Sequence, residues 1–207
     1  MILSEPPFVT FQGTGRLAGT LQYFVRMAGC SVKCPLRKVC DEQAALSFEG
    51  TKHDEQAVVD EAARVMGVGG WVHLTGGEPM EDPVAVRKVI QACRGRGLNL
   101  HLQTSGTRNL AGIEADWVTL SPKVRVDGLR AEYANEVVLV LDRSWIIDFG
   151  IVMGLLNRIH RNYFYLQPLY RDGENNMPEV LEWARKLNVM GYAVGVTDQM
   201  HKHWAIK

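Results

Sequence analysis

WVHLTGGEPMEDPVAVRKVIQACRGRGLNLHLQ, running from Trp71 to Gln103, is the stretch that decides the fold. It opens on a short β-rich run, Trp71–Thr75, breaks at Gly76 and Gly77, and resumes as a helical pattern over 82–95. Asp82 offers an N-cap oxygen to orphan amides, Pro83 suits the first helical position, and Gly97 can end the turn beyond Arg96. A second strand-like run, Leu98–Gln103, follows at once. Strand, helix and strand in that order form the crossover unit of a parallel sheet.

The same alternation extends in both directions. Further strands are predicted at Leu21–Met27, Trp117–Leu120, Val137–Leu141, Tyr163–Leu166 and Tyr192–Val196, and further helices at about 54–66, 143–160 and 177–189. Asn176 and Pro178 are the starting signals of the last helix. Several strands are apolar throughout, as parallel strands covered on both faces should be. The fold class is therefore α/β, with the chemistry expected at the carboxyl ends of the strands. A complete eight-stranded barrel takes roughly 250 residues, so 207 residues suit a partial (β/α) barrel in one domain, 1–207.

Composition narrows the ligand class. Basic and acidic residues both number 23, so no charge excess points to nucleic acid or an anionic membrane surface. The N-terminus MILSEPPFVTFQG lacks a basic start with a long apolar run, and no stretch approaches the roughly 20 apolar residues of a membrane span. A cytoplasmic protein acting on a small molecule is expected.

Directly after the first strand comes Arg26-Met27-Ala28-Gly29-Cys30-Ser31-Val32-Lys33-Cys34-Pro35-Leu36-Arg37-Lys38-Val39-Cys40-Asp41. Three cysteines in one loop, with Cys93 far away in a helical pattern, are not a disulfide framework. Three thiolates can hold three irons of a 4Fe-4S cluster and leave the fourth iron open, where a purely electron-carrying cluster takes four. An open iron can chelate the amino and carboxylate groups of S-adenosylmethionine, and an electron passed into the sulfonium releases a 5′-deoxyadenosyl radical. Two other readings of Cys30, Cys34 and Cys40 stay open: a zinc site completed by His53 or another histidine, and unrelated buried thiols. Cys93 reads as a small core residue.

The strand ends carry polar loops. Gly76 and Gly77 allow close backbone approach to a ligand, and Glu78 offers an acceptor for an ammonium group. Ser121-Pro122-Lys123 and Gln167-Pro168-Leu169 bring hydroxyl, ammonium and amide groups suited to ribose, carboxylate and adenine edges. Gln103-Thr104-Ser105-Gly106-Thr107 is a fourth such end.

Together with Phe11-Gln12-Gly13, Phe24-Val25-Arg26 and a final Gln199-Met200-His201-Lys202, these motifs resemble the 7-carboxy-7-deazaguanine synthases nearly end to end. These are small radical S-adenosylmethionine enzymes of the queuosine and deazapurine pathway. The resemblance implies a shortened (β/α) barrel converting 6-carboxy-5,6,7,8-tetrahydropterin to 7-carboxy-7-deazaguanine with loss of ammonia and no net redox change. It implies that the adenosyl radical takes a hydrogen from C6 of the pterin and that the hydrogen is returned. By match, Phe11, Gln12, Gly13, Arg26, Thr75 and His201 would meet the pterin, with Arg26 on its carboxylate. Gly77, Glu78, Ser121, Pro122, Lys123, Gln167, Pro168 and Leu169 would surround S-adenosylmethionine. A magnesium ion near Glu42, a homodimer and an external one-electron donor such as a flavodoxin are further implications.

The sequence departs from the family at four points. Its cysteines read C-x3-C-x5-C where C-x3-C-x2-C is usual, Glu42 replaces the threonine of Asp-Thr, and Thr14 and Gln103 stand where the family has glutamate. Competing functions are a glycyl-radical activating enzyme, which shares the small barrel, and a zinc-binding interaction domain built on the same cysteines.

Overall fold

A computed structural model describes residues 1–142, 149–171 and 173–206. Its strands are β1 Ile2–Leu3, β2 Phe8–Phe11, β3 Leu21–Met27, β4 Thr51–Lys52, β5 Trp71–Gly76, β6 Asn99–Thr104, β7 Trp117–Leu120, β8 Tyr133–Leu141, β9 His160–Pro168, β10 Tyr170–Arg171, β11 Glu174–Asn175 and β12 Gly195–Val196. Its helices are α1 Glu55–Met66, α2 Pro83–Arg96, α3 Phe149–Arg158, α4 Met177–Val189 and α5 Met200–Trp204. The start of the third predicted helix, 143–148, lies outside the described residues.

One sheet runs β12-β9-β8-β7-β6-β5-β3-β1-β4, and its members from β3 to β12 pair in parallel, each beside its predecessor among those strands. The fold is thus mixed α/β with a mostly parallel central sheet. β1, β2 and β4 add an antiparallel edge that the sequence did not announce. Two- and four-residue strands are too short for a periodic signal. The path ends at β12 and β4 without closing.

The helix punctuation is as read. The Asp82 side chain accepts from Ala85 N at 3.0 Å, and Gly97, with φ 65°, closes α2 by donating to Arg94 O and Cys93 O. Asn176 is different: it starts α4 without capping it, and its amide instead accepts from Leu169 N and donates to Leu141 O, each at 2.8 Å. It therefore ties the ends of β8 and β9 together.

Alternation along the strands sorts the side chains. Tyr23, Val25, Val72, Leu74, Leu100 and Leu102 pack with α1 and α2, and Val137, Leu139, Phe164 and Leu166 pack with α3 and α4. Cys93 belongs to the first of these cores. The residues between them, including Gln22, His73, His101, Thr119 and Glu136, are buried and polar. The expectation of strands apolar on both faces is thereby corrected: helices cover one face, and the other carries hydrogen-bonding groups. Among the described residues no helix is long and apolar enough to cross a membrane.

Candidate functional site

Where the carboxyl ends of β3, β5, β6, β7 and β9 meet the N-terminal and C-terminal segments lies a cavity of about 500 Å³. Cys30, Cys34 and Cys40 line it, as do Phe11, Gln12, Gly13, Arg26, Glu42, Thr75 and His201. So do Gly77, Glu78, Ser121, Lys123, Gln167 and Leu169. Of the residues singled out from the sequence, Pro122 and Pro168 are not on this wall. His53, one histidine suggested for a zinc site, is not there either, whereas His73 and His201 are.

The cysteine loop is held by side chains that bond to its own carbonyls. The additional residues between Cys34 and Cys40 form a single turn of 3-10 helix, Arg37–Val39, with Leu36 buried beneath it. Arg37 donates to Cys30 O at 3.1 Å, and the Gln43 amide reaches Arg37 O and Cys40 O at 2.9 and 3.1 Å. All three thiols are partly buried. Burial pushes the Cys30 and Cys40 thiols up, and it pushes the Lys123 ammonium down against the pull of all three sulfurs and Glu78. No three His, Cys, Asp or Glu side chains among the described residues converge closely enough to hold a single ion. A tetrahedral zinc ion needs sulfurs at about 2.3 Å from one point, whereas a cluster spreads its ligands over several irons.

Close packing explains the glycines of the first polar loop. A Cβ on Gly77 would strike Gly29 O and, at 2.5 Å, Ala45 O. Gly76, with φ 115°, lies against the backbone of Met27. Gly76 thus admits the backbone of β3 and Gly77 that of the neighbouring cysteine loop, while both line the cavity. Glu78 is likewise committed to the scaffold. Its carboxylate, 2% exposed, accepts from Met80 N at 3.1 Å, Thr104 Oγ1 at 2.6 Å and Ser105 N at 2.8 Å, and from the Ser105 hydroxyl.

Arg26 pairs with Glu42 and, at 3.0 Å, with Glu5, and its guanidinium lies 5.1 Å from the centre of the Phe8 ring. Asp41 binds Lys202 at 2.6 Å and Gln199 at 2.9 Å. Asp41 and Glu42 are thus each paired with a cation of the chain itself, Lys202 and Arg26. The same contacts draw the C-terminal segment over the cavity. Met200 N donates to Gly13 O at 3.0 Å, which sets His201 against Gly13.

Buried polar atoms without partners mark what the cavity lacks. Among the described residues these are Gln12 Nε2, Tyr23 Oη, Arg26 Nε, both ring nitrogens of His73 and Gln167 Oε1. All except Tyr23 belong to the cavity wall. Buried polar groups in folded proteins are nearly always satisfied, so this concentration makes the cavity the candidate ligand site. Sequence reading missed the wall residues His73, Val138 and Val140, which lie within strands and carry no loop signature, and gave Phe24 no part in the site.

No protein-family model matches the chain. The 7-carboxy-7-deazaguanine synthase of Flavobacterium psychrophilum is 34% identical over 180 residues, 86% of this chain and 81% of the relative. That of Hyperthermus butylicus is 35% identical over 190 residues, 88% and 70% of the two chains. That of Synechocystis sp. is 34% identical over 147 residues, 69% and 66%. The crystal structure of QueE from Escherichia coli matches with a TM-score of 0.68 over 97% of this chain and 94% of that one, at 23% identity, a likeness of fold.

Proposed function

The chain belongs to the 7-carboxy-7-deazaguanine synthase family, and from that premise we propose that it converts 6-carboxy-5,6,7,8-tetrahydropterin to 7-carboxy-7-deazaguanine with loss of ammonia. This is a carbon–nitrogen lyase step of queuosine biosynthesis. The observation that carries the reading is the single cavity on which the three cysteines, the polar strand ends and five unpartnered polar atoms converge.

Cys30, Cys34 and Cys40 would hold a 4Fe-4S cluster, and Gly77, Ser121, Lys123, Gln167 and Leu169 would surround S-adenosylmethionine, with Pro122 and Pro168 shaping the turns from behind. When bound, the cluster and S-adenosylmethionine together supply the radical that starts the ring contraction. The chain's own groups hold and orient the substrate. Arg26 presents a fixed, planar donor set to the pterin carboxylate, because Glu5, Glu42 and the Phe8 ring hold its guanidinium in place. Phe11, Gln12, Gly13 and Thr75 complete the pterin site, and the Gln12 Nε2 donor has no other partner. His201 and the segment tied to Asp41 keep water from the cavity, which protects a reactive intermediate from side reactions. Glu78 serves S-adenosylmethionine through the loop it braces.

The finer architecture we read as a partial barrel in one domain, cytoplasmic and homodimeric, reduced by an external one-electron donor such as a flavodoxin. Anaerobic incubation of the reconstituted protein with reductant, S-adenosylmethionine and the carboxypterin tests the function. The deazaguanine acid is the expected product, and S-adenosylmethionine cleavage without it contradicts the reading.

A further inference from the structure

Two stacked histidines on the inner face of the sheet differ in one respect. His73 on β5 and His101 on β6 lie opposite each other in register, with ring centroids 4.0 Å apart and planes 10° from parallel. Both are buried, at 1% and 0% exposure. His101 is fully partnered: Nδ1 meets Gln22 Oε1 at 3.0 Å and Nε2 meets Thr119 Oγ1 at 2.8 Å. The Thr119 hydroxyl donates to Glu136 at 2.6 Å, and Glu136 also accepts from Trp117 Nε1 and Arg16 N. No hydrogen bond of good geometry reaches either ring nitrogen of His73, and the Gln103 side chain is the polar group close enough to approach one of them.

The difference follows position. His73 lies between Phe24, 4.4 Å away between ring centres, and His101, and it is the member of the pair that lines the cavity. Phe24 faces His73 in register, and two residues further on Arg26 faces Thr75. His73 therefore forms the floor one side-chain layer beneath the expected carboxylate site, with the Gln103 amide beside it. Burial, together with the neighbouring His101 and Arg26, keeps its imidazole uncharged. A neutral imidazole offers one donor and one acceptor.

We infer that His73 is a substrate-contacting residue, taking a hydrogen bond from or giving one to the polar edge of a nitrogen heterocycle lying on the cavity floor. The inference rests on the function proposed above for the identity of that heterocycle, a pterin, and adds a specificity determinant to it. A site that hydrogen-bonds a substrate group discriminates strongly against ligands lacking that group, because its own buried atoms are then left unpaired. The Phe24 ring and the His73–His101 stack also suit a flat ligand.

The test is binding and kinetics of His73→Leu and His73→Gln beside the unaltered protein. Binding of the carboxypterin to the anaerobically reconstituted protein, with S-adenosylmethionine and without reductant, is followed by calorimetry, turnover by the same enzyme with reductant, and thermal unfolding without ligand. His73→Leu is expected to weaken pterin binding and raise KM by about tenfold or more, with kcat changed less than about threefold, since the contact is made in ground and transition states alike. Unliganded, the Leu variant is expected to unfold within about 2–4 °C of the parent, equivalent to about 1 kcal/mol, because removing a buried polar group without a well-formed hydrogen bond offsets the ring stacking that is lost. His73→Gln, which restores a donor and an acceptor, is expected to bind within about threefold of the parent, and it carries the test should the Leu variant fail to fold. Equal pterin affinity and KM in all three proteins overturns the role of His73 alone. An unaltered protein that binds no carboxypterin overturns the substrate reading and this contact with it.

Discussion

Replacing Glu78 by glutamine separates a scaffold role from a ligand role with a single atom. Oε1 accepts from Met80 N and Thr104 Oγ1, and Oε2 accepts from Ser105 N and the Ser105 hydroxyl. In either amide orientation the new NH2 faces a buried backbone N–H, that of Ser105 or of Met80. A hydroxyl can rotate to accept, but a backbone amide cannot. Met80 and Ser105 are 3% and 8% exposed, so water cannot readily substitute. Losing one hydrogen bond to a charged acceptor and orphaning one N–H costs about 3 kcal/mol. At roughly 2–4 °C per kcal/mol for a chain of this size, Tm should fall by about 6–12 °C. The assay is thermal and urea unfolding of the cluster-free protein without S-adenosylmethionine. A loss under about 1 kcal/mol, accompanied by weakened S-adenosylmethionine binding, would refute the argument and return Glu78 to the ammonium-accepting role first read from the sequence.

The loop contact of Gly77 gives a second expectation. Gly77→Ala places a methyl group against two backbone carbonyls, an overpacking cost of about 1–3 kcal/mol or more, so reconstituted iron and sulfide content should drop; full cluster content would contradict it. Because Asp41 and Glu42 are already neutralised by Lys202 and Arg26, omitting magnesium and adding a chelator after reconstitution should leave turnover within about twofold, a smaller change than loss of a structural ion pair would produce. Acid should destabilise the fold in a defined window. Burial holds the folded His101 pKa near about 3, while the unfolded imidazole titrates near about 6.5. Between these values the unfolded chain binds more protons, so stability falls as pH falls, by about 1.4 kcal/mol per pH unit for this group. His73, lowered in the same direction by burial, steepens the slope. Urea midpoints from pH 8 to 4 measure this, and a flat profile below pH 6.5 would contradict it.

The loop chemistry was legible in the sequence because loops announce themselves through Gly, Pro and spaced cysteines. Cys30, Cys34 and Cys40 and the ends of β5, β6, β7 and β9 do line one cavity, and the caps at Asp82 and Gly97 close α2 as read. The inner face of the sheet was not legible. His73, His101 and Glu136 sit among β-branched and aliphatic neighbours, and the strand pattern gives the hand of a side chain only once the register is known. Glu78 and Glu42 were read by what a free carboxylate can do, whereas each is claimed by groups distant in sequence: Thr104 and Ser105 for one, Arg26 for the other. The C-terminal cover over the cavity depends on Asp41 meeting Lys202, a pairing between residues at opposite ends of the chain that no local pattern reveals.

The most direct measurement of the central claim is the product stoichiometry of the anaerobically reconstituted chain, read by mass spectrometry after incubation with reductant, carboxypterin and limiting S-adenosylmethionine. One 7-carboxy-7-deazaguanine and one ammonia should appear for each carboxypterin consumed, in excess of the S-adenosylmethionine destroyed. Accumulation of 5′-deoxyadenosine with the carboxypterin untouched would contradict the account.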